Sequence, residues 1–159
     1  MRARDVALYF LQTEPDLFSD NIIKMNGHDM YEGNLRLNKY LHIAQNVHLA
    51  MTGENLFDDS LHAYDNGGVV PDVQKNYSLL KKARLQSNLT DSGTKEFLDK
   101  IANTLRNADV YELVDISHQD REWGIRNNTD NQKMDSLSRA SEYREQYKDI
   151  IKMMELGIC

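Results

Sequence analysis

The chain has 159 residues, the usual size of one domain and long enough to bury a core. Its hydrophobic fraction of 40% and charged fraction of 28% are ordinary for a globular protein, and no apolar run is long enough for a membrane-spanning helix. The formal net charge of −6 disfavours non-specific binding to nucleic acid, which depends on many cations. The single cysteine, Cys159, can form no internal disulfide, so a cytoplasmic location is expected.

The first elements are a short helix and a turn. Residues 4–14 place apolar side chains on one helical face, and Pro15 ends this helix. In the connection that follows, Asn26-Gly27 is typical of a tight turn.

The clearest element is a helix over residues 35–52, which we predict to be the centre of the fold. Asn34 is a suitable N-cap and Gly53 a suitable C-terminal stop. At 100° per residue, its main stripe contains Leu37, Tyr40, Leu41, Ala44, Val47, His48 and Met51. His42 lies on the opposite face, and we expect it, together with Gln45, to face solvent or a protein partner.

A small β-hairpin insert is predicted over about 55–65, as two extended runs on either side of Asp58-Asp59-Ser60. Gly67-Gly68 comes next, and Pro71 suits the first turn of another helix. We expect the two glycines to allow a tight crossing of the backbone against the central helix.

Three further helices complete a mainly α bundle, predicted as a single domain over residues 1–159. They are predicted at 93–106, 109–122 and about 134–156. Residues 78–106 carry six Lys or Arg against three acids, but they have little aromatic interleaving. A solvated helical face is therefore favoured over a nucleic-acid surface.

The five histidines do not match a metal-binding pattern. His42 and His48 are six residues apart on one helix and cannot face one ion, and His48 is expected to be a hydrogen-bonded core residue. His62 and His118 could meet in space, which keeps a small His-dependent metal hydrolase as the weaker alternative.

Two other catalytic patterns are disfavoured. Asp115, Ser117 and His118 are too close in sequence to point at one another, because neighbouring residues of a helix diverge by about 100°. Gly67-Gly68 lacks the Lys-Ser/Thr ending of a phosphate-binding loop. The sequence therefore predicts no catalytic residue, no metal and no cofactor.

Several short motifs occur in a recognisable order between residues 35 and 123. They are Ala44, Gln45, Leu49 and Gly53, then Phe57, Ala63 and Tyr64, then Gly67, Val69, Val70 and Pro71, and finally Ser117, His118 and Trp123. In this order they resemble the Panacea domain of SocA-like antitoxins. The chain departs from the family pattern at three positions in particular, with His42 where tyrosine is common, Tyr64 where tryptophan is usual and Gly68 where proline is usual, which indicates a divergent member.

The resemblance implies a non-catalytic antitoxin, often carried on phage or prophage, that binds and neutralises a toxin protein encoded beside it. One branch of the family is similar to a proteolytic adaptor, for which a protease would be a second partner. The alternative within the binding class is a phage-associated inhibitor of another host protein, such as a defence factor.

The motif residues have two interpretations, a shared core or a toxin-contacting surface, and the core is favoured for most of them. In that case the Trp123 indole N–H and a His118 nitrogen would hydrogen-bond to buried carbonyls.

Overall fold

The structure is a computed structural model that describes residues 1–82 and 85–157. In these residues it contains nine α-helices, namely α1 (Ala3–Thr13), α2 (Glu32–Thr52), α3 (Pro71–Lys75), α4 (Tyr77–Lys82), α5 (Ser92–Leu105), α6 (Val110–His118), α7 (Arg121–Arg126), α8 (Ala140–Gln146) and α9 (Lys148–Glu155). The predicted mainly α fold is confirmed. No described helix is both long enough and apolar enough to cross a membrane. Arg84 of the basic stretch and Cys159 lie outside the described residues.

Helix α2 is the centre of the fold, as predicted, and it is enclosed on nearly all sides. It packs against α1, α3, α5, α6, α8 and both hairpins, and nearly every residue from Gly33 to Val47 is buried. The helix begins at Glu32, earlier than predicted, and ends at Gly53 in the left-handed conformation (φ 75°). Met51 was predicted in the core stripe but is 41% exposed, because the last turn of α2 lies at the surface.

Two antiparallel hairpins interrupt the helices. They are β1 (Ile22–Met25) with β2 (His28–Tyr31), and β3 (His62–Tyr64) with β4 (Gly67–Val69). Their registers pair Ile22 with Tyr31 and His62 with Val69. The second hairpin turns at Asp65-Asn66, later than the predicted 55–65 segment. The aspartates expected at its turn lie in the preceding loop, where Asp59 accepts a hydrogen bond from the Ala3 N–H (2.7 Å).

The first hairpin was predicted only through its turn, where Asn26 and Gly27 both have positive φ. Its inward side chains are Ile23, Met25 and Met30, and they pack on a small second cluster of Leu35, Val110 and Val114. The hairpin is thereby seated against the N-terminal ends of α2 and α6.

The C-terminal third is more segmented than predicted. The expected helix 109–122 is divided into α6 and α7 at Asp120, whose side chain accepts a hydrogen bond from the Glu122 N–H and caps α7. The expected helix 134–156 is a 3₁₀ turn at Ser136–Arg139 followed by α8 and α9, and Leu137 of its predicted seam is half exposed.

Gln45 holds the loop that follows α2 against the helix. Its Oε1 accepts hydrogen bonds from the N–H groups of Leu56 (2.8 Å) and Phe57 (3.2 Å), and its Nε2 donates to the Phe57 carbonyl (3.1 Å). The prediction of an exposed, partner-facing Gln45 is wrong, because this loop covers the side chain and leaves it 3% exposed.

We expect Gln45→Leu to lower the free energy of unfolding by about 2 to 4 kcal/mol, because two buried N–H groups lose their acceptor. Urea unfolding followed by circular dichroism measures the change. The control is Gln119→Leu, because the Gln119 side chain is exposed and makes no described hydrogen bond. Equal effects of the two substitutions would show that the Gln45 hydrogen bonds do not stabilise the fold.

Candidate functional site

A stripe of polar side chains runs along the inside of α2. Lys39, His42 and Asn46 are spaced by three and four residues, which places them on one helical face. All three are buried, since α2 is packed against β4, α6 and α8. Together with Ser117 and Asp120, they form what we call the buried polar centre.

His42 joins Ser117 and Asp120 in a chain of hydrogen bonds. Its Nδ1 lies 2.7 Å from Ser117 Oγ and its Nε2 lies 2.7 Å from Asp120 Oδ2. An ionised carboxylate can only accept, so we assign the proton to Nε2 and let Nδ1 accept from the Ser117 hydroxyl. The prediction that His42 faces solvent or a partner is wrong, because the hairpin and α6 cover this side of α2 and leave His42 0% exposed.

Asp120 is a buried carboxylate with four hydrogen-bond donors. Its Oδ2 accepts from His42 and from Asn46 Nδ2 (2.8 Å), and its Oδ1 accepts from the Tyr143 hydroxyl (3.0 Å) and the Glu122 N–H (3.0 Å). Burial raises the pKa of Asp120, but the hydrogen bonds from His42, Asn46 and Tyr143 outweigh it and hold the pKa below its ordinary value. One anion thus links α2, α7 and α8.

Lys39 is a further ionisable group that the centre encloses. Its ammonium donates to the Gly68 carbonyl, and it has no carboxylate partner among the described residues. Burial lowers the pKa of Lys39 from 10.5 to about 7. Its charge therefore changes within the neutral pH range.

Strand β4 rests on the centre through two glycines. Gly67 has φ 110°, and a Cβ there would lie 2.2 Å from Ser117 Oγ, while a Cβ on Gly68 would lie 2.7 Å from His42 Nδ1. The Gly68 N–H also donates to Ser117 Oγ (3.0 Å). The predicted tight crossing of these glycines against the central helix is confirmed.

His118 and Trp123 hold the turn of the same hairpin, and we call this pair the hairpin clasp. The Trp123 indole N–H donates to the Tyr64 carbonyl (2.7 Å), and His118 Nε2 lies 3.1 Å from the Asp65 carbonyl oxygen. The two rings are stacked, with centroids 3.9 Å apart. Hydrogen bonds from both rings to carbonyls were expected and are present, but the expected burial is wrong, because the hairpin turn lies at the surface and both side chains are half-buried.

The Ser117–His42–Asp120 chain has the residue types of a nucleophilic triad, but its surroundings favour a structural role. Ser117 and His42 are 0% exposed, so a substrate cannot reach the hydroxyl in this conformation. The serine also meets the imidazole at Nδ1, whereas in trypsin-like proteases it meets Nε2. The arrangement joins segments of the chain and presents no reactive atom at the surface.

The remaining histidines are not brought into a metal site. His48 makes the expected hydrogen bond, with its Nδ1 2.7 Å from the Glu54 carbonyl oxygen. The prediction that it lies in the core is wrong, because its side chain is only half-buried. His62 lies in β3, while His118 belongs to the clasp. The described residues contain no group of three or more His, Cys, Asp or Glu that could hold a metal ion.

The family-motif residues divide by exposure. The buried ones are Ala44, Gln45, Leu49, Phe57, Ala63, Gly67, Val69, Val70 and Ser117. Those that reach the surface are Gly53, Tyr64, Pro71, His118 and Trp123. Only the second group is placed to touch a partner in this conformation.

Sequence reasoning missed Lys39, Asn46, Asp120 and Tyr143. A signal for the first two was present, because Lys39 and Asn46 recur with His42 at helical spacing in the helix predicted to be the centre of the fold. Asp120 and Tyr143 gave no such signal, because Asp120 is 78 residues from His42 and 23 from Tyr143.

Comparison with protein-family models identifies a family for this chain. The model of the family described as antitoxin SocA-like, Panacea domain, matches residues 37–124, more than half of the chain. The chain belongs to the SocA-like Panacea family. Comparison with curated proteins and with solved structures finds no match. The matched range contains the whole buried polar centre and both residues of the hairpin clasp. The polar core of this Panacea domain therefore lies within the residues that match the family model.

We expect Gly68→Ala to destabilise this Panacea domain by about 1 to 3 kcal/mol, because the added Cβ would overlap the His42 ring. The control is Gly124→Ala in α7, where a Cβ meets nothing within 4 Å and neither glycine has a positive φ. That substitution should be neutral or slightly stabilising. Thermal and urea unfolding compare the two, and a harmless Gly68→Ala would contradict the close packing.

We expect the unfolding free energy to rise by about 2 kcal/mol between pH 7 and pH 9 through Lys39 alone. The folded pKa of about 7 lies below the ordinary 10.5, so the unfolded chain binds more protons across this range and raising the pH favours folding. Lys39→Met should remove this part of the slope, whereas Lys152→Met, at an exposed position, should retain it. Urea unfolding at several pH values measures the slope, and identical slopes in all three proteins would contradict the assignment.

Proposed function

We propose that this chain is an antitoxin that binds a toxin protein and neutralises it without a catalytic step of its own. Membership of the SocA-like Panacea family is the observation that carries the proposal. The buried polar centre supports it, because its reactive groups face one another and β4. The net charge of −6 suits a basic protein partner.

The basic stretch at 78–106 supports a protein partner over nucleic acid. Carboxylates accompany three of its cations, in the pairs Lys81–Asp20 (3.1 Å), Lys100–Glu96 (3.5 Å) and Arg106–Glu14 (2.7 Å). Cations paired in this way contribute less to the neutralisation of phosphates, on which affinity for nucleic acid depends.

Neutralisation could proceed by occlusion of the toxin or by its delivery to a protease, and both would take place in the cytoplasm. The two routes differ in the fate of the toxin. Occlusion leaves its half-life unchanged or longer, whereas delivery shortens it in a protease-dependent manner.

Co-expression of the chain with each flanking gene tests the proposal. We expect one neighbour to arrest growth when expressed alone, growth to recover by at least about tenfold in colony count when the chain is present, and the two proteins to co-purify, since direct capture of a toxin requires a stable complex. A copy with an early stop codon controls for gene dosage.

Two results would contradict the antitoxin assignment. The first is that no neighbour is toxic, in which case a complex with another host protein would favour the inhibitor alternative. The second is rescue of growth with neither a complex nor a change in the half-life of the toxin. A pulse-chase measurement of toxin half-life in the rescued strain then separates occlusion from delivery to a protease.

A further inference from the structure

A pocket of about 340 Å³ lies between the two hairpins and the start of α2. None of its lining residues belongs to the buried polar centre. The apolar part of the lining comes from Met30, Leu35 and Val69. The tips of the hairpins are tied together by a hydrogen bond from Asn26 Nδ2 to Asn66 Oδ1 (2.6 Å), and Asn66 itself lines the pocket. One exposed side-chain hydrogen bond thus connects the two hairpins beside the pocket.

The charged groups of the lining are acidic. Asp29 and Asp65 stand on different hairpins, and the lining contains no lysine or arginine. Among the described residues, the Asp29 carboxylate makes no hydrogen bond or ion pair, and that of Asp65 accepts one long hydrogen bond, from Asn127 (3.4 Å). Lys24 faces Asp29 in the strand register but forms no ion pair with it. The other titratable groups of the lining are His28 and Tyr64.

Uncharged hydrogen-bonding groups complete the pocket. The side-chain amides of Gln74 and Gln132 line it and make no described hydrogen bond, so their oxygens are available as acceptors. Tyr64 contributes an aromatic ring, and its backbone is fixed by Trp123 of the hairpin clasp. The residues that line the pocket thus include two aspartates and two glutamines from separate segments of the chain, beside apolar residues.

We propose that this pocket binds an arginine side chain of the partner protein. That this partner is a toxin rests on the proposed function. A guanidinium presents five N–H donors in a plane, which matches Asp29, Asp65 and amide oxygens on separate walls. Its weak hydration suits a site with an apolar surface, against which the aliphatic part of the side chain packs. An ammonium has three donors and is more strongly hydrated, so lysine is the poorer fit.

The full chain is titrated with N-acetyl-L-argininamide and followed by NMR. The two matched probes are N-acetyl-L-citrullinamide, which has nearly the same shape but no charge, and N-acetyl-L-lysinamide. We expect saturable binding of the arginine probe, with shifts at the Gln74 and Gln132 side-chain amides, and roughly tenfold weaker binding of the other two. Equal binding of either matched probe, or shifts confined to another surface, would overturn the assignment.

The variant Asp29→Asn/Asp65→Asn preserves shape and removes both charges, so we expect it to bind the arginine probe about tenfold more weakly. The matched control, Asp130→Asn/Asp149→Asn, removes two exposed carboxylates outside the pocket and should bind like the wild type. Thermal unfolding verifies that both variants are folded. Undiminished binding of the probe to the Asp29/Asp65 variant would overturn the proposal.

The same variants are then tested for capture of the toxin. Loss of affinity in the Asp29/Asp65 variant alone supports the pocket as the partner site. Capture that is equally strong in all three proteins overturns the pocket's role in binding and leaves the antitoxin function standing. If the wild type binds the arginine probe but captures no neighbouring gene product, the proposed function fails while the arginine specificity of the pocket is supported.

Discussion

A carboxylate removed from water has to be compensated by hydrogen bonds, and the four donors to Asp120 come from α2, α7 and α8. Loss of any one donor would leave part of a buried charge unsatisfied, at a cost of about 1 to 3 kcal/mol. These helices therefore have to pack together for the anion to be accommodated. Through His42, the same constraint extends to Ser117 in α6 and from there to the hairpin above it.

The contact between β4 and α2 brings together His42 and Gly68, two positions at which the resemblance led us to expect a departure from the family pattern. A Cβ on residue 68 would lie 2.7 Å from the His42 ring in this structure. A histidine bonded to both Ser117 and Asp120 is therefore compatible with glycine at position 68 and not with a residue that carries a side chain. The packing therefore couples the residues at positions 42 and 68.

Features decided by local interactions could be predicted from the sequence. Gly53 ends α2 in the left-handed conformation as predicted, because a helix end of this kind depends on its own neighbouring residues. Features decided by distant segments could not. His42 and Gln45 were expected to be exposed because a helical stripe normally leaves one face to solvent, but α2 is enclosed and has no such face. The single-domain organisation stays a prediction.

The enclosure of α2 also restricts where recognition can take place. Most family-motif residues lie in the core, so on the proposed function they act by fixing the position of the β3–β4 hairpin, and direct contact falls to other residues. This hairpin is held from below by Gly67 and Gly68 on the buried polar centre, and at its turn by the hairpin clasp. Its turn carries Asp65, which faces the pocket. A hairpin held on both sides loses little conformational freedom on binding, and this preorganisation favours affinity. The buried core and the partner-binding surface can therefore be parts of one arrangement, in which the polar core supplies the rigidity that recognition at the hairpins requires.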